Sequence, residues 1–296
     1  MKKTFSLFMV IGLTALCAPV HAQLNPLGST YYQNEYLYNP AMAGIDNNLK
    51  LNAAVRAQWT NIEGAPLSQA LTADYGFSTK VGLGLMLHSE QLGVFQRSRA
   101  MLSYAYHLPL NDEVSKLNFG LSMGLMHKWI DHAKVIGDDS DENINTFNNR
   151  PTSLDFDFGV AYTNEKLTIQ GAVPNLPRIF NRDIARNAVD LPLLFSAISY
   201  KAELSGLDYI EPKVAFRKVQ HFNSIWDIGA RFSFSNERLG LDAIYRSTKS
   251  LIVGLGTTYK ESLSIQVLFT SNPSQMSSHA SGEFELALKY SIKKKN

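Results

Sequence analysis

The chain has 296 residues, with 28 Lys or Arg against 26 Asp or Glu, a formal net charge of +2, and a single cysteine. So even a balance leaves no electrostatic footprint for nucleic acid, and one thiol excludes a disulfide framework. Beyond the N-terminal stretch no run of about 18 apolar residues occurs, which excludes a membrane-spanning helix there.

Residues 1–22 read as a secretion signal. Lys2 and Lys3 form a basic start, Phe5 to Val20 is mostly apolar, and Val20-His21-Ala22 places small residues before a cut ahead of Gln23. Cleavage removes two of the 28 basic residues and none of the 26 acidic ones, leaving 26 of each sign. It also removes Cys17, whose neighbour Leu16 fits a lipoprotein processing site poorly, so thiolate metal ligands and cysteine nucleophiles are excluded from the mature chain.

Residues 23–48 form a second unit, centred on Tyr36 to Gly44, "YLYNPAMAG". Pro40 fixes its own φ and pushes Asn39 towards extended geometry, while Gly44 allows a turn that residues with a Cβ resist. The unit is a rigid aromatic turn, neither helix nor strand.

From residue 49 onward the dominant signal is period two. Leu154 to Tyr162 sets large apolar residues on one face against Asp155, Asp157 and Gly159. Trp226 to Phe234 does the same against Asp227, Gly229 and Arg231, and Leu239 to Arg246 against Gly240, Asp242, Ile244 and Arg246. Such segments span 49–58, 67–75, 80–88, 98–107, 116–127, 154–163, 166–172, 192–200, 207–217, 224–235, 238–246, 250–260, 262–269 and 283–292. An even number of strands, most of about 9 to 11 residues, in an exported chain predicts a closed antiparallel transmembrane β-barrel of about 14 strands over residues 49–296. Long outside loops are expected to alternate with short periplasmic turns, the two longest being Lys128 to Ser153 and Val173 to Leu191.

On this reading the apolar face meets lipid, with Trp59, Tyr104, Tyr106, Tyr162, Trp226, Tyr259 and Tyr290 as interface aromatics. The polar face is the lumen. Its charges carry both signs: Lys50, Arg56, Arg231, Arg246 and Lys289 beside Asp155, Asp157, Asp227, Asp242 and Glu285. Opposite charges in a confined interior pair and cross-link facing walls, whereas a selective pore shows one sign, so a partly filled, poorly conducting lumen is expected.

Other chemistry is poorly supported. His127 and His132 flank Asp131 without a recognised zinc spacing. "GDDSDEN", Gly137 to Asn143, fails the EF-hand template, with Ile144 at the turn glycine and Arg150 at the closing glutamate. No serine stands in a nucleophile setting. No catalytic residue, metal site or cofactor is expected.

The opening turn, together with Leu49 to Pro66, "LKLNAAVRAQWTNIEGAP", resembles the PorP/SprF family of type IX secretion outer-membrane proteins. Asn39, Pro40, Ala41, Ala43 and Gly44 match the family's Asn-Pro-Ala-x-Ala-Gly turn; Arg56, Gln58 and Trp59 match its strand end; Gly64, Ala65 and Pro66 match its following loop. Gly82 to Ser98 and Ala172 to Phe180 agree more loosely. The last strand is followed by a Lys293-Lys294-Lys295-Asn296 tail instead of ending on an aromatic residue, which leaves the closure register open.

In that setting residues 23–48 suit a periplasmic plug, with Tyr31, Tyr32, Tyr36 and Tyr38 packed in the periplasmic mouth and held by Arg56 and Gln58. The resemblance implies a non-enzymatic barrel, integral to the outer membrane and its lipid, that supports secretion or surface attachment of a cargo adhesin of the gliding type. It implies partnership with the periplasmic ring and lipoprotein components of the apparatus and with a peptidoglycan-linked protein. The alternative is a channel or hydrophobic-solute uptake barrel with an N-terminal hatch.

Overall fold

Alternating side chains can satisfy two solvents at once only if the sheet has two different faces and no edge. The computed structural model describes residues 28–110, 114–135, 142–177, 192–204, 206–219, 223–271 and 281–293. The secretion signal with Cys17, and the acidic stretch 137–141, lie outside them.

Fourteen strands form the wall: β1 (Leu49–Gln58), β2 (Leu67–Gly76), β3 (Val81–Leu92), β4 (Phe95–Pro109), β5 (Lys116–Ile130), β6 (Ser153–Thr163), β7 (Leu167–Val173), β8 (Pro192–Tyr200), β9 (Tyr209–Val219), β10 (Ile225–Phe234), β11 (Leu239–Arg246), β12 (Ser250–Tyr259), β13 (Leu263–Thr270) and β14 (Glu283–Ile292). Each pairs antiparallel with its chain neighbours, and β14 returns to β1 to close the barrel. Closure runs without a break from Leu49 opposite Ile292 to Gln58 opposite Glu283, which fixes the register the sequence leaves open.

The outer face is apolar, as lipid demands. Leu102, Leu121, Met123, Leu154, Leu255 and Leu286 are exposed on it, with Tyr104, Tyr106, Trp226, Tyr259 and Tyr290 towards its ends. Tyr162 and Trp59 are half-buried instead. Trp59 sits just past β1 in left-handed backbone, its N–H bonded to the Gly282 carbonyl.

The two rims differ. At the terminal rim, where β1 begins and β14 ends, every connection has eight residues or fewer. The loop rim carries the two longest, 131–152 and 174–191. The first of these holds a short helix, α1 (Glu142–Asn148), whose Phe147 packs edge-on against Phe95. Strict alternation of long and short does not hold: β3 and β4 meet through only Gly93-Val94, and 220–224 and 247–249 are also short. Here β3 and β4 themselves continue to Leu92 and from Phe95, so the hairpin lengthens while its turn shrinks. Gly93, at φ +58°, supplies the left-handed residue that such a tight turn needs.

Candidate functional site

Residues 28–47 lie inside the barrel, and the inner wall is shaped to receive them. The chain runs from Gly28, beside Arg217 and Glu285 near the loop rim, to Asn47 beside Gly76 at the terminal rim. Its tyrosines are therefore spread along the lumen and do not gather at one mouth. The reason is the run of the segment: two 3-10 turns, Thr30–Tyr32 and Pro40–Met42, joined by a further turn in which the Glu35 carbonyl accepts the Tyr38 and Asn39 N–H groups at 3.1 and 3.0 Å, span the wall from end to end.

At the loop-rim end, Ser29 N–H donates to both oxygens of Glu285, at 2.9 and 2.8 Å. Arg246 Nη2 donates to Ser29 Oγ at 2.8 Å, and Arg217 Nη1 to the Gly28 carbonyl at 3.2 Å. Both guanidiniums also bind Asp227, which accepts the Tyr31 hydroxyl at 2.9 Å. Asp227 is fully buried and answers two cations and a phenol, an arrangement that compensates its desolvation. Arg231 joins Asp242 at 2.8 Å and reaches the Tyr32 carbonyl.

Below this, Tyr31, Tyr32 and Tyr38 pack on Phe195, Ile244, Ile252 and Leu268. Tyr38 and Phe195 have ring centroids 5.5 Å apart, and Tyr31 meets Tyr38 edge-on at 5.7 Å. Such pairs add about 0.5–1.5 kcal/mol beyond area burial. The lumen is thus not polar throughout: an apolar patch faces the segment. Burial pushes the Tyr38 phenol up to about 12 and likewise raises those of Tyr31, Tyr32 and Tyr36.

The Asn-Pro-Ala turn seats on the opposite wall. Asn39 Oδ1 accepts the Ala41 N–H at 3.0 Å, capping the Pro40–Met42 turn, while Asn39 Nδ2 donates to the Val160 carbonyl at 3.1 Å and Gln170 at 3.3 Å. Only an amide both accepts and donates in this way. Four inward glycines make room. A Cβ on Gly120 would run into Pro40 and Ala41, on Gly159 into Asn39, on Gly84 into the Tyr36 ring and on Gly82 into the Ala43 carbonyl. Tyr36 and Ser103 hydrogen-bond at 2.8 Å. His107 bridges the Ala43 carbonyl and Asn118. Gly44, at φ +66°, gives its N–H to Asp74 and turns the chain into β1.

The family described as "Type IX secretion system membrane protein PorP/SprF" matches residues 20–290. The chain belongs to that family. It is an outer-membrane barrel of type IX secretion. Among solved structures it is similar to the Acinetobacter baumannii outer membrane protein Omp33, at 7% identity and TM-score 0.49 over 82% of this chain and 98% of that one. It is also similar to the KdgM porin, at 12% and 0.41 over 82% and 99%, and to a mutant of the Rhodopseudomonas blastica porin, at 8% and 0.37 over 83% and 99%. The barrel rests on its own strand pairing. No curated protein matches the chain.

The PorP/SprF motif divides in space. Tyr36, Tyr38, Asn39, Pro40, Ala41 and Gly44 lie in the lumen, whereas Gly64, Ala65 and Pro66 lie at the loop rim, where the Gly64 carbonyl accepts the Gly93 N–H at 2.9 Å. Arg56 and Gln58, inward on β1, both donate to Glu283, at 2.7 and 2.9 Å. Gln58 is thus spent on the wall and not on the segment, whose carbonyls go to Arg217, Arg231 and His107. Arg56 reaches the segment indirectly, since it lies 3.8 Å from the Glu285 that holds Ser29. Asp155 and Asp157 both bind Arg99, at 2.7 and 2.6 Å. The luminal pairs join strands that are adjacent or one apart, so facing walls are cross-linked by the segment and not by direct ion pairs.

His127 and His132 turn to Thr152 and Asn148, and among the described residues no three ligating side chains converge. Sequence reasoning missed Arg217, His107, the glycine groove and Lys213 of β9, whose ammonium binds Glu35 of the segment at 2.9 Å. The available signal was phase: Gly82, Gly84, Gly120 and Gly159 all fall on inward positions of neighbouring strands.

Proposed function

We propose that the protein is a non-enzymatic, closed scaffold of type IX secretion, in which residues 23–48 act as a plug. The loop rim faces outward and holds a secreted cargo adhesin of the gliding type through 131–152 and 174–191. The terminal rim faces the periplasm and meets the ring and lipoprotein components, and through them a peptidoglycan-linked protein. Short periplasmic turns and long outer loops are the general habit of such barrels, and loops on a rigid wall are where binding concentrates.

The observation that carries this reading is the depth of the luminal segment's attachment. It is tied to the wall from Ser29 to Gly44 by buried hydrogen bonds, the arrangement of a part that stays in place. A transport hatch would be tied less completely, since it must leave at each cycle. The test is deletion of the gene followed by localisation of the secreted adhesins, with affinity purification in mild detergent. Mislocalised cargo and co-elution of ring components are expected; normal location of every cargo would end the proposal.

A further inference from the structure

Between the luminal segment and the inner faces of β10 to β14, a basin of about 980 Å³ opens at the terminal rim. Its charges are unevenly satisfied. Each of the four carboxylates lining it has a cation: Asp46 has Lys50, Glu237 has Lys201 at 3.2 Å, Asp242 has Arg231 at 2.8 Å, and Glu261 has Lys293 at 2.7 Å. Three cations lining it, Arg238 and Lys260 in the exposed β10–β11 and β12–β13 turns and Lys289 on β14, make no salt bridge among the described residues, although Lys260 lies over the Tyr259 ring at 5.3 Å. Lys289 stands opposite Asn52, an inward position on β1, so its ammonium serves the lumen and not the lipid.

The basin also holds unused acceptors. Gln266, 2% exposed, donates its amide to Asp242 and leaves Oε1 buried without a hydrogen bond; Gln33 Oε1 is in the same condition. Buried acceptors left unpaired cost stability until a donor or water meets them. Unpaired cations call for anions, and unpaired carbonyl oxygens call for N–H donors. An acidic peptide offers both, whereas a free inorganic anion offers only the first.

We infer that this basin receives an extended, carboxylate-bearing polypeptide segment of a periplasmic partner. Its acidic side chains meet Arg238, Lys260 and Lys289, and its backbone N–H groups meet Gln266 and Gln33. The inference rests on the terminal rim facing the periplasm.

The experiment is binding of a fluorescein-labelled hexaglutamate peptide to the full chain in detergent. Binding that weakens with salt is expected, reduced by more than about tenfold in the triple variant Arg238→Glu, Lys260→Glu, Lys289→Glu. Lys80→Glu, at the same rim outside the basin, is expected to bind as the parent does. Heat-modifiable migration on gels establishes that each variant is folded, and Lys289→Gln, which keeps the side chain's bulk, is expected to give a partial loss. No binding, equal loss with Lys80→Glu, or complete competition by millimolar inorganic phosphate would overturn the inference. If ring components still co-elute with the triple variant, the basin is not their dock while the proposed function stands. If none co-elute with the parent while hexaglutamate still binds in the basin, the proposed function fails and the site stands.

Discussion

Asp227 shows how a single side chain couples wall and segment. It draws Arg217 of β9 and Arg246 of β11 onto β10 and accepts the Tyr31 hydroxyl. Asp227→Asn removes the carboxylate that two buried guanidiniums share, and is expected to cost about 3–5 kcal/mol, read as an earlier loss of heat-modifiable migration. Asn39→Asp removes both amide donations and buries a charge, a loss of about 1–3 kcal/mol expected to appear as faster proteolysis within residues 28–48. The tyrosines give a pH dependence. Their folded phenols are raised above the unfolded value of about 10, so the stabilisation is intact below that pH and lost as pH rises through the folded values. Release of the segment, with phenolate absorbance at 295 nm from its own tyrosines, is therefore expected only towards pH 12; release near neutrality would contradict this.

At the scale of elements, the strands were legible almost residue by residue, because lipid on one side and polar lumen on the other enforce alternation. The exceptions are instructive. The sequence places the ends of β3 and β4 at His88 and Ser98, yet they run to Leu92 and from Phe95. Ser89, Glu90, Gln91, Gln96 and Arg97 make this end of the hairpin polar on both faces, so period two disappears there. The aromatic turn was legible as a motif, but its seat was not. A glycine inside a strand reads as a weak strand residue until its phase is compared with that of its neighbours. Gly120→Leu tests the seat: the side chain would occupy the space of Pro40 and Ala41, and the segment is expected to become protease-accessible while the wall stays intact.

For the whole molecule, closure gives each of the fourteen described strands two hydrogen-bonded neighbours, and the luminal segment converts a ring of local ion pairs into a cross-braced cylinder. The mixed signs of Asp155, Asp157, Asp227, Arg231, Asp242 and Arg246 point to such bracing, because they pair locally and leave no uniform field for ion selection. The alternation puts Ile244 on the polar face but does not reveal the apolar patch it forms there with Phe195, Ile252 and Leu268, inward residues on other strands. Single-channel recording in planar lipid bilayers tests the central claim most directly. The account predicts no steady pore from the purified protein and a large, steady one when residues 28–47 are deleted; a stable open pore from the intact chain would contradict it.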